Sequence, residues 1–330
     1  VTRPGEDDIV ARYFRPLATD PGAFGLVDDC AALAPPPGCD LVLKSDAVAS
    51  GVHFFADDPW DMVAKKALRV NVSDLAAKGA RPLGWMLTLA LPADWREEDL
   101  AALSRGFAED QAVYGLSLLG GDTIRSPDGL VLSITIIGAV PAGRMVRRAA
   151  ARVGDVVCVS GTLGDSALGL LARLEPERAA RWGLDEAERA HIARRYLLPE
   201  PRLALAPLLR EHDAAAMDVS DGLGLDLGRM IRGSGVAARL DLDRMPLSPA
   251  ARRALAADES LKRRIATGGD DYEILAAVPE HRFAGFAAAA EATGVAMAAI
   301  GRIEEGPRGR LAVFDGGVPV ALAGDGYRHF

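Results

Sequence analysis

The sequence predicts an α/β fold in two domains, and three observations carry that prediction. Its 330 residues are too many for one ordinary core and suit two domains of about 150 each. Apolar residues make up 49% and charged residues 25%, the proportions of a globular chain able to fill such cores. Short apolar runs alternate with stretches of helical spacing, and the turns between them carry Gly, Pro and Asp. A seam is expected where Arg144, Arg147, Arg148 and Arg152 cluster after Pro141, which divides the chain into residues 1–142 and 143–330.

In chain order, residues 7–17 read as a short amphipathic helix and 26–33 as a strand-like run broken by Asp28 and Asp29. Residues 40–48 read as a strand in which period two puts Lys44 and Asp46 on one face. A loop with one histidine, His53, follows. Asp58 is expected to cap a long helix with Pro59 at its first position, and Gly79 and Pro82 to stop it. Its apolar flanks are Val63, Val70 and Ala77 on one side and Ala64, Leu68 and Leu75 on the other, with Lys65, Arg69 and Ser73 facing away. Between the flanks, within about 60° on a wheel of about 100° per residue, lie Asn71, Asp74 and Lys78. A carboxylate on a helix's inward face needs a partner or a cation.

Residues 83–91 read as a strand, 95–114 as a helix opened by Asp94 or the acidic turn Glu97–Asp99, and 116–124 as a strand ending in Gly120, Gly121 and Asp122. Residues 130–138 read as a central strand. The second domain opens with a strand at 155–160, and Gly161-Thr-Leu-Gly-Asp-Ser166 turns into a helix without the Lys of a P-loop. The Arg- and Glu-rich stretch 175–195 reads as a surface helix pair, followed by a helix to about His212. At Asp218-Val-Ser-Asp-Gly-Leu223 a strand meets a helix, with Asp218 and Ser220 on one face, Asp221 as cap, and Leu223, Leu227, Met230 and Ile231 as the buried stripe. Such a junction is where α/β proteins keep active sites. Gly268-Gly-Asp-Asp-Tyr-Glu273 leads into another strand, residues 283–294 read as a helix, and 298–303 and 311–314 as late strands.

A net charge of −8 argues against a nucleic-acid or acidic-membrane partner. Cys30, Cys39 and Cys158 are odd in number and widely spaced, as in a reduced cytoplasmic protein. The polar opening Val1–Asp8 predicts no signal peptide, and no apolar run is long enough for a membrane span. Asp29, Asp46, Asp74, Asp122, Asp218 and Asp221 each sit near glycine or serine. Two unit charges about 4 Å apart repel by about 4 kcal/mol at an effective dielectric of about 20, so converging carboxylates must protonate, pair or bind hard cations. All-oxygen ligation favours Mg²⁺ and, with it, a nucleotide phosphate.

The ordered motifs Asp28-Asp29-Cys-Ala, Ser45-Asp46 through Gly51-Val-His-Phe54, Asn71-Val-Ser-Asp-Leu-Ala-Ala-Lys-Gly-Ala-Arg-Pro82, Gly120-Gly-Asp-Thr123, Gly161–Ser166, Asp218–Leu223 and Gly268–Glu273 closely resemble the thiamine-monophosphate kinase family. The resemblance covers nearly the whole chain. It implies the two-domain fold of aminoimidazole ribonucleotide synthetase, an N-terminal ATP- and magnesium-binding domain whose sheet forms a homodimer, and a C-terminal α/β domain. By position it implies magnesium ligation by Asp29, Ser45, Asp46, Asp74, Asp122, Asp218 and Asp221, and ATP contacts by Gly121, Asp122, Arg148 and Ser220. His53, Asp270 and Gly324 take the positions that meet thiamine monophosphate. The implied reaction is in-line transfer of the γ-phosphoryl of ATP to thiamine monophosphate, giving thiamine diphosphate, with no phosphoenzyme.

Lys44, Asp270, Gly324 and Val27 depart from the family pattern, which has Ser or Thr, Glu, an aromatic and Gly there. Lys44, on Asp46's face, is expected to stand in for one magnesium, and Tyr272 or Tyr327 to supply the missing ring. The alternatives are another ATP-dependent member of the superfamily and a catalytically silent nucleotide-binding protein.

Overall fold

The computed structural model describes residues 4–322, so Gly324 and Tyr327 lie outside the described residues. The chain divides into two units, one of residues up to 75 with 80–144, the other of 76–79 with 145 onward.

In the first unit, α1 (Glu6–Ile9) runs on through a π turn at Val10–Phe14 and a 3₁₀ turn at Arg15–Leu17. The expected helix is therefore helical but not of one pitch, tightening where Pro16 has no N–H to continue the ladder. The strand expected over 26–33 does not form. Phe24, Gly25 and Leu26 adopt φ of 49°, 60° and 55°, and the Ala32 N–H folds back to the Gly22 carbonyl. Asp28 and Asp29 thus ride on an irregular loop.

Then follow β1 (Cys39–Ala49), α2 (Trp60–Ala77), β2 (Arg81–Leu91), α3 (Glu97–Tyr114), β3 (Leu118–Arg125) and β4 (Val131–Pro141). The sheet order is β1-β4-β2-β3, with β2 and β3 parallel and the other pairs antiparallel. Asp46, Ile134, Leu87 and Gly121 form one row across it, and Ala47, Ser133, Thr88 and Asp122 the next. Neighbouring rows face opposite ways. Gly120, Gly121 and Asp122 lie within β3 rather than after it. A Cβ on Gly121 would stand 1.9 Å from the Leu87 carbonyl oxygen, so only glycine lets β3 approach β2 there.

Helix α2 has no exposed residue between Trp60 and Ala77. Lys65 and Arg69, expected to face away, are covered because α3 lies on that side, and Ser73, expected there too, is buried. Arg69 makes a bidentate pair with Asp110 on α3 at 2.6 and 2.8 Å, Lys65 pairs with Glu109 at 2.5 Å, and Gly106 packs directly on the Asp61 backbone. On the sheet side, Leu75 packs at Gly138 and the Asn71 amide oxygen accepts from the Asp46 N–H. Asp58 accepts from the Phe55 N–H, which ties the preceding loop. Asp99 accepts from the Arg96 N–H, so the acidic turn opens α3.

The second unit contains β5 (Val156–Ser160), α4 (Asp165–Leu174), α5 (Pro176–Ala180), α6 (Glu186–Leu197), α7 (Ala206–Glu211), β6 (Ala215–Asp218), α8 (Leu223–Ser234) and β7 (Ala237–Asp241). It continues with α9 (Pro249–Ala257), α10 (Leu261–Thr267), β8 (Ile274–Val278), α11 (Glu280–Ala292), β9 (Met297–Glu304), β10 (Leu311–Asp315) and β11 (Val318–Val320). The seven strands are ordered β11-β10-β7-β9-β5-β8-β6. Val157, Val159, Met217, Leu275 and Ala277 enter one core with α4 and α8, while Cys158, Ala216, Ile274, Ala276 and Val278 enter a second with α7 and α11. Apolar layers on both faces explain why β5 and β8 are buried at every position and apolar at all but Ser160.

Candidate active site

Two of the candidate carboxylates of the first unit share one cation. Lys44 Nζ lies 3.0 Å from Asp46 and 3.1 Å from Asp74, so the strand-parity pairing of Lys44 with Asp46 extends to a third member on α2. The side chains of Lys44, Asp46 and Asp74 are 35%, 42% and 21% exposed, open enough to exchange partners. Burial works against the Lys44 charge, but Asp74 and Asp46 outweigh it and hold the ammonium above the ordinary lysine range. Asn71 anchors the arrangement: its oxygen takes the Asp46 N–H at 3.1 Å while its nitrogen donates to the Ala67 carbonyl at 2.9 Å.

Asp29 and Asp122 lie elsewhere in this unit. Together with Asp28, Gly120 and Gly121 they line a cavity of about 300 Å³ beside the β3 edge. Asp46 is on the other edge strand, with β4 and β2 between, and its row faces away from that of Asp122. Ser45 is likewise on the face opposite Asp46, where its hydroxyl accepts from Thr135 and donates to the Ile134 carbonyl, both at 3.2 Å. His53 Nδ1 accepts from the Ala49 N–H at 3.1 Å, which leaves the neutral ring's proton on Nε2.

In the second unit three glycine-rich motifs meet. The Asp270 N–H donates to the Ser220 carbonyl at 2.7 Å, the Tyr272 N–H to the Val219 carbonyl and the Val219 N–H to the Glu273 carbonyl, both at 2.9 Å. Ser166 reaches the Asp270 carboxylate at 3.3 Å, and Asp271 accepts from the Gly164 N–H at 2.9 Å. Ser220, Asp221 and Asp270 therefore belong to one loop cluster, with Asp218 at the adjoining end of β6 opposite Ile274. Asp270 and Tyr272 hold positive φ of 62° and 52° within it, a conformation that the cross-loop bonds impose on side-chain-bearing residues. Lys78 Nζ donates to the Ala216 carbonyl in this unit at 2.9 Å, and Arg148 is exposed.

Asp221 does not cap α8. Gly222, at φ 110°, takes that place without a side-chain cap, and Asp226 inside the helix ties the loop ahead of it, its Oδ2 accepting from the N–H of Ser220 and Asp221 at 3.1 and 3.0 Å. Burial pushes the Asp226 carboxyl up to about 6, and Arg229 bridges it to Asp221. The stretch 175–195 is also more than surface. Arg195 of α6 is buried and, with Arg202, grips the fully buried Glu273 at 3.0 and 2.5 Å, while Ser160 donates to the same carboxylate at 2.6 Å. His191 pairs with buried Asp165 at 3.1 Å. Arg195 was detectable in the sequence: Ile192, Arg195 and Tyr196 share one helical face, and all three are buried.

The donors at the candidate positions are carboxylate oxygens, the kind hard divalent cations take. Among the described residues no three His, Cys, Asp or Glu side chains converge as a ready metal site. The oxygens of Asp29, Asp122 and Asp218 suit magnesium in kind, whereas the space between Asp46 and Asp74 already holds an ammonium.

Similarity to known proteins agrees with this disposition of motifs. Residues 27–140 match the family described as AIR synthase related protein, N-terminal domain, and residues 152–314 its C-terminal domain. Thiamine-monophosphate kinase of Caulobacter vibrioides is 45% identical over 307 residues, covering 92% of this chain and 85% of that one. The crystal structure of thiamine-monophosphate kinase from Stenotrophomonas maltophilia superposes with a TM-score of 0.81 at 38% identity, over 95% of this chain and 96% of that one. The structure of AaThiL complexed with AMPPCP and TMP gives 0.77 at 30% identity, over 94% and 97%. Through its two AIR synthase related domains and these relatives, the chain belongs to the thiamine-monophosphate kinase family.

Proposed function

We propose that this protein transfers the γ-phosphoryl group of ATP to the phosphate of thiamine monophosphate, giving thiamine diphosphate and ADP. The observation that carries the reading is the family match over 92% of the chain, together with the presence of Asp29, Asp46, Asp74, Asp122 and Asp218 in motifs that resemble those of the family. A relative of the same fold holds an ATP analogue together with TMP, the two reactants such a transfer joins. The acceptor is then itself a phosphate, and its terminal oxygen attacks phosphorus in line. The chain supplies position and charge rather than a nucleophile. Asp29 and Asp122 in the first unit, and Asp218 in the second, are the carboxylates that would serve as magnesium ligands, and the metal would neutralise the nucleotide phosphates. Gly121 and Ser220 lend backbone and hydroxyl to the phosphates, Arg148 adds a cation, and His53 and Asp270 meet the thiamine monophosphate.

The first unit, residues 1–142 in this reading, binds nucleotide and metal and forms a homodimer; residues 143–330 complete the enzyme. Leu43, Met86 and Ile124 support the dimer, since all three are exposed on the sheet face turned away from α2. Among the described residues no helix is long and apolar enough to cross a membrane, and Cys30, Cys39 and Cys158 are free, as suits the cytoplasm. Incubation with thiamine monophosphate, ATP and Mg²⁺, followed by oxidation of the thiamine esters to fluorescent thiochromes, tests the activity. Diphosphate is expected from the native chain and not from Asp74→Asn; its absence across a broad range of magnesium would overturn the kinase reading.

A further inference from the structure

We propose that the Lys44 ammonium is a resident cation that takes, between Asp46 and Asp74, the place of one divalent ion in the nucleotide site. The geometry carries this directly. Lys44 and Asp46 lie on one face of β1, Asp74 presents its carboxylate from α2, and Nζ sits 3.0 and 3.1 Å from the two oxygens. The third side is fixed by Asn71, which bonds the Asp46 N–H and so holds strand and helix together around the ammonium. Magnesium binds carboxylate oxygens at about 2.0–2.1 Å and demands octahedral room. An ammonium and a divalent ion cannot share that gap, so an ion would have to displace Nζ and draw the carboxylates inward.

Charge makes the exchange one-for-one in space but not in electrostatics. With Lys44 the trio carries a net charge of about −1, and with a divalent ion replacing the ammonium it would carry about 0. Lysine delivers its charge as a tethered, strongly hydrated point, present before any nucleotide arrives and independent of free magnesium. The native chain is therefore expected to bind one divalent ion fewer per chain than a variant without that amine.

This inference rests on the kinase reading only for the choice of nucleotide. The test is a Mn²⁺ titration followed by the electron paramagnetic resonance signal of the free ion, with the protein saturated by the ATP analogue AMPPCP, for the native chain, Lys44→Thr, Lys44→Met and Lys44→Arg. The Thr and Met variants are expected to bind one more Mn²⁺ per chain, Arg none more, and Asp46→Asn in the Lys44→Thr background to remove the gain. Circular dichroism checks folding, and Mn²⁺ without nucleotide is expected to raise the melting temperature of Lys44→Thr by more than that of the native chain. Equal ion counts in the native and Lys44→Thr chains, or an extra ion in Lys44→Arg, would overturn the proposal. Thiamine diphosphate formation with equal counts removes Lys44's role and leaves the kinase. An extra ion in Lys44→Thr with no diphosphate from the native chain does the reverse.

Discussion

Two clusters in this protein pair carboxylates with cations, and they differ in what surrounds them. Around Lys44, the carboxylates of Asp46 and Asp74 stay partly open to solvent. Around Glu273, the carboxylate is fully enclosed, Arg195 is buried with it, and Ser160 and Arg202 complete its hydrogen bonds. A buried pair whose carboxylate is held on several sides is costly to disturb and suits a scaffold, whereas an open one can change partners at little cost in stability. The Glu273 cluster fastens the turn that shapes the Asp270 and Ser220 loops. The Lys44 cluster is free to take part in binding.

The sharpest way to break this comparison is Glu273→Ala, which takes from buried Arg195 its buried carboxylate and leaves it that of Glu200 at 3.3 Å. A loss of about 3–5 kcal/mol of folding stability is expected, read from the denaturant midpoint. A loss below about 1 kcal/mol would show the cluster to be no scaffold. Asp46→Asn should behave oppositely, with thiamine diphosphate formation reduced on the order of 100-fold or more, as when one transition-state contact is removed, and a melting curve almost unmoved. The smallest effect is expected at an intermediate site, where His191 reaches buried Asp165. The Asp165 hydrogen bond raises the His191 pKa above 6.5, outweighing its burial. Its stabilisation is then fully present below about pH 6.5 and lost as pH rises through the higher folded value. The stability gap between native protein and His191→Gln should narrow from pH 6 to pH 8, and a gap independent of pH would remove the ion pair.

Much of the candidate site was legible in the sequence because its carboxylates stand in recognisable motifs, most of them close to glycine or serine. The Lys44 and Asp46 pairing followed from strand parity alone, and the α8 stripe of Leu223, Leu227, Met230 and Ile231 from helical spacing. The failures share one cause. Arg69, Ser73 and Arg195 read as surface because charge and polarity were taken as signs of solvent, when each lies under a neighbouring element. Asp221 read as the cap because it precedes the helix; Gly222 holds that place, and the Asp226 carboxylate reaches back from the first turn to the loop N–H groups ahead of it.

By itself the sequence determined most of the local elements, the motifs and the family, since these depend on residue type and short-range spacing. Tertiary structure alone decided which carboxylates meet. Asp74 joins Asp46 through Lys44 because α2 packs on β1, and Asp29 shares a cavity with Asp122 because the loop after Leu26 folds over the β3 edge rather than forming a strand. Those contacts link residues far apart in the chain. Strand order and helix packing set them, and neither is written in any local pattern.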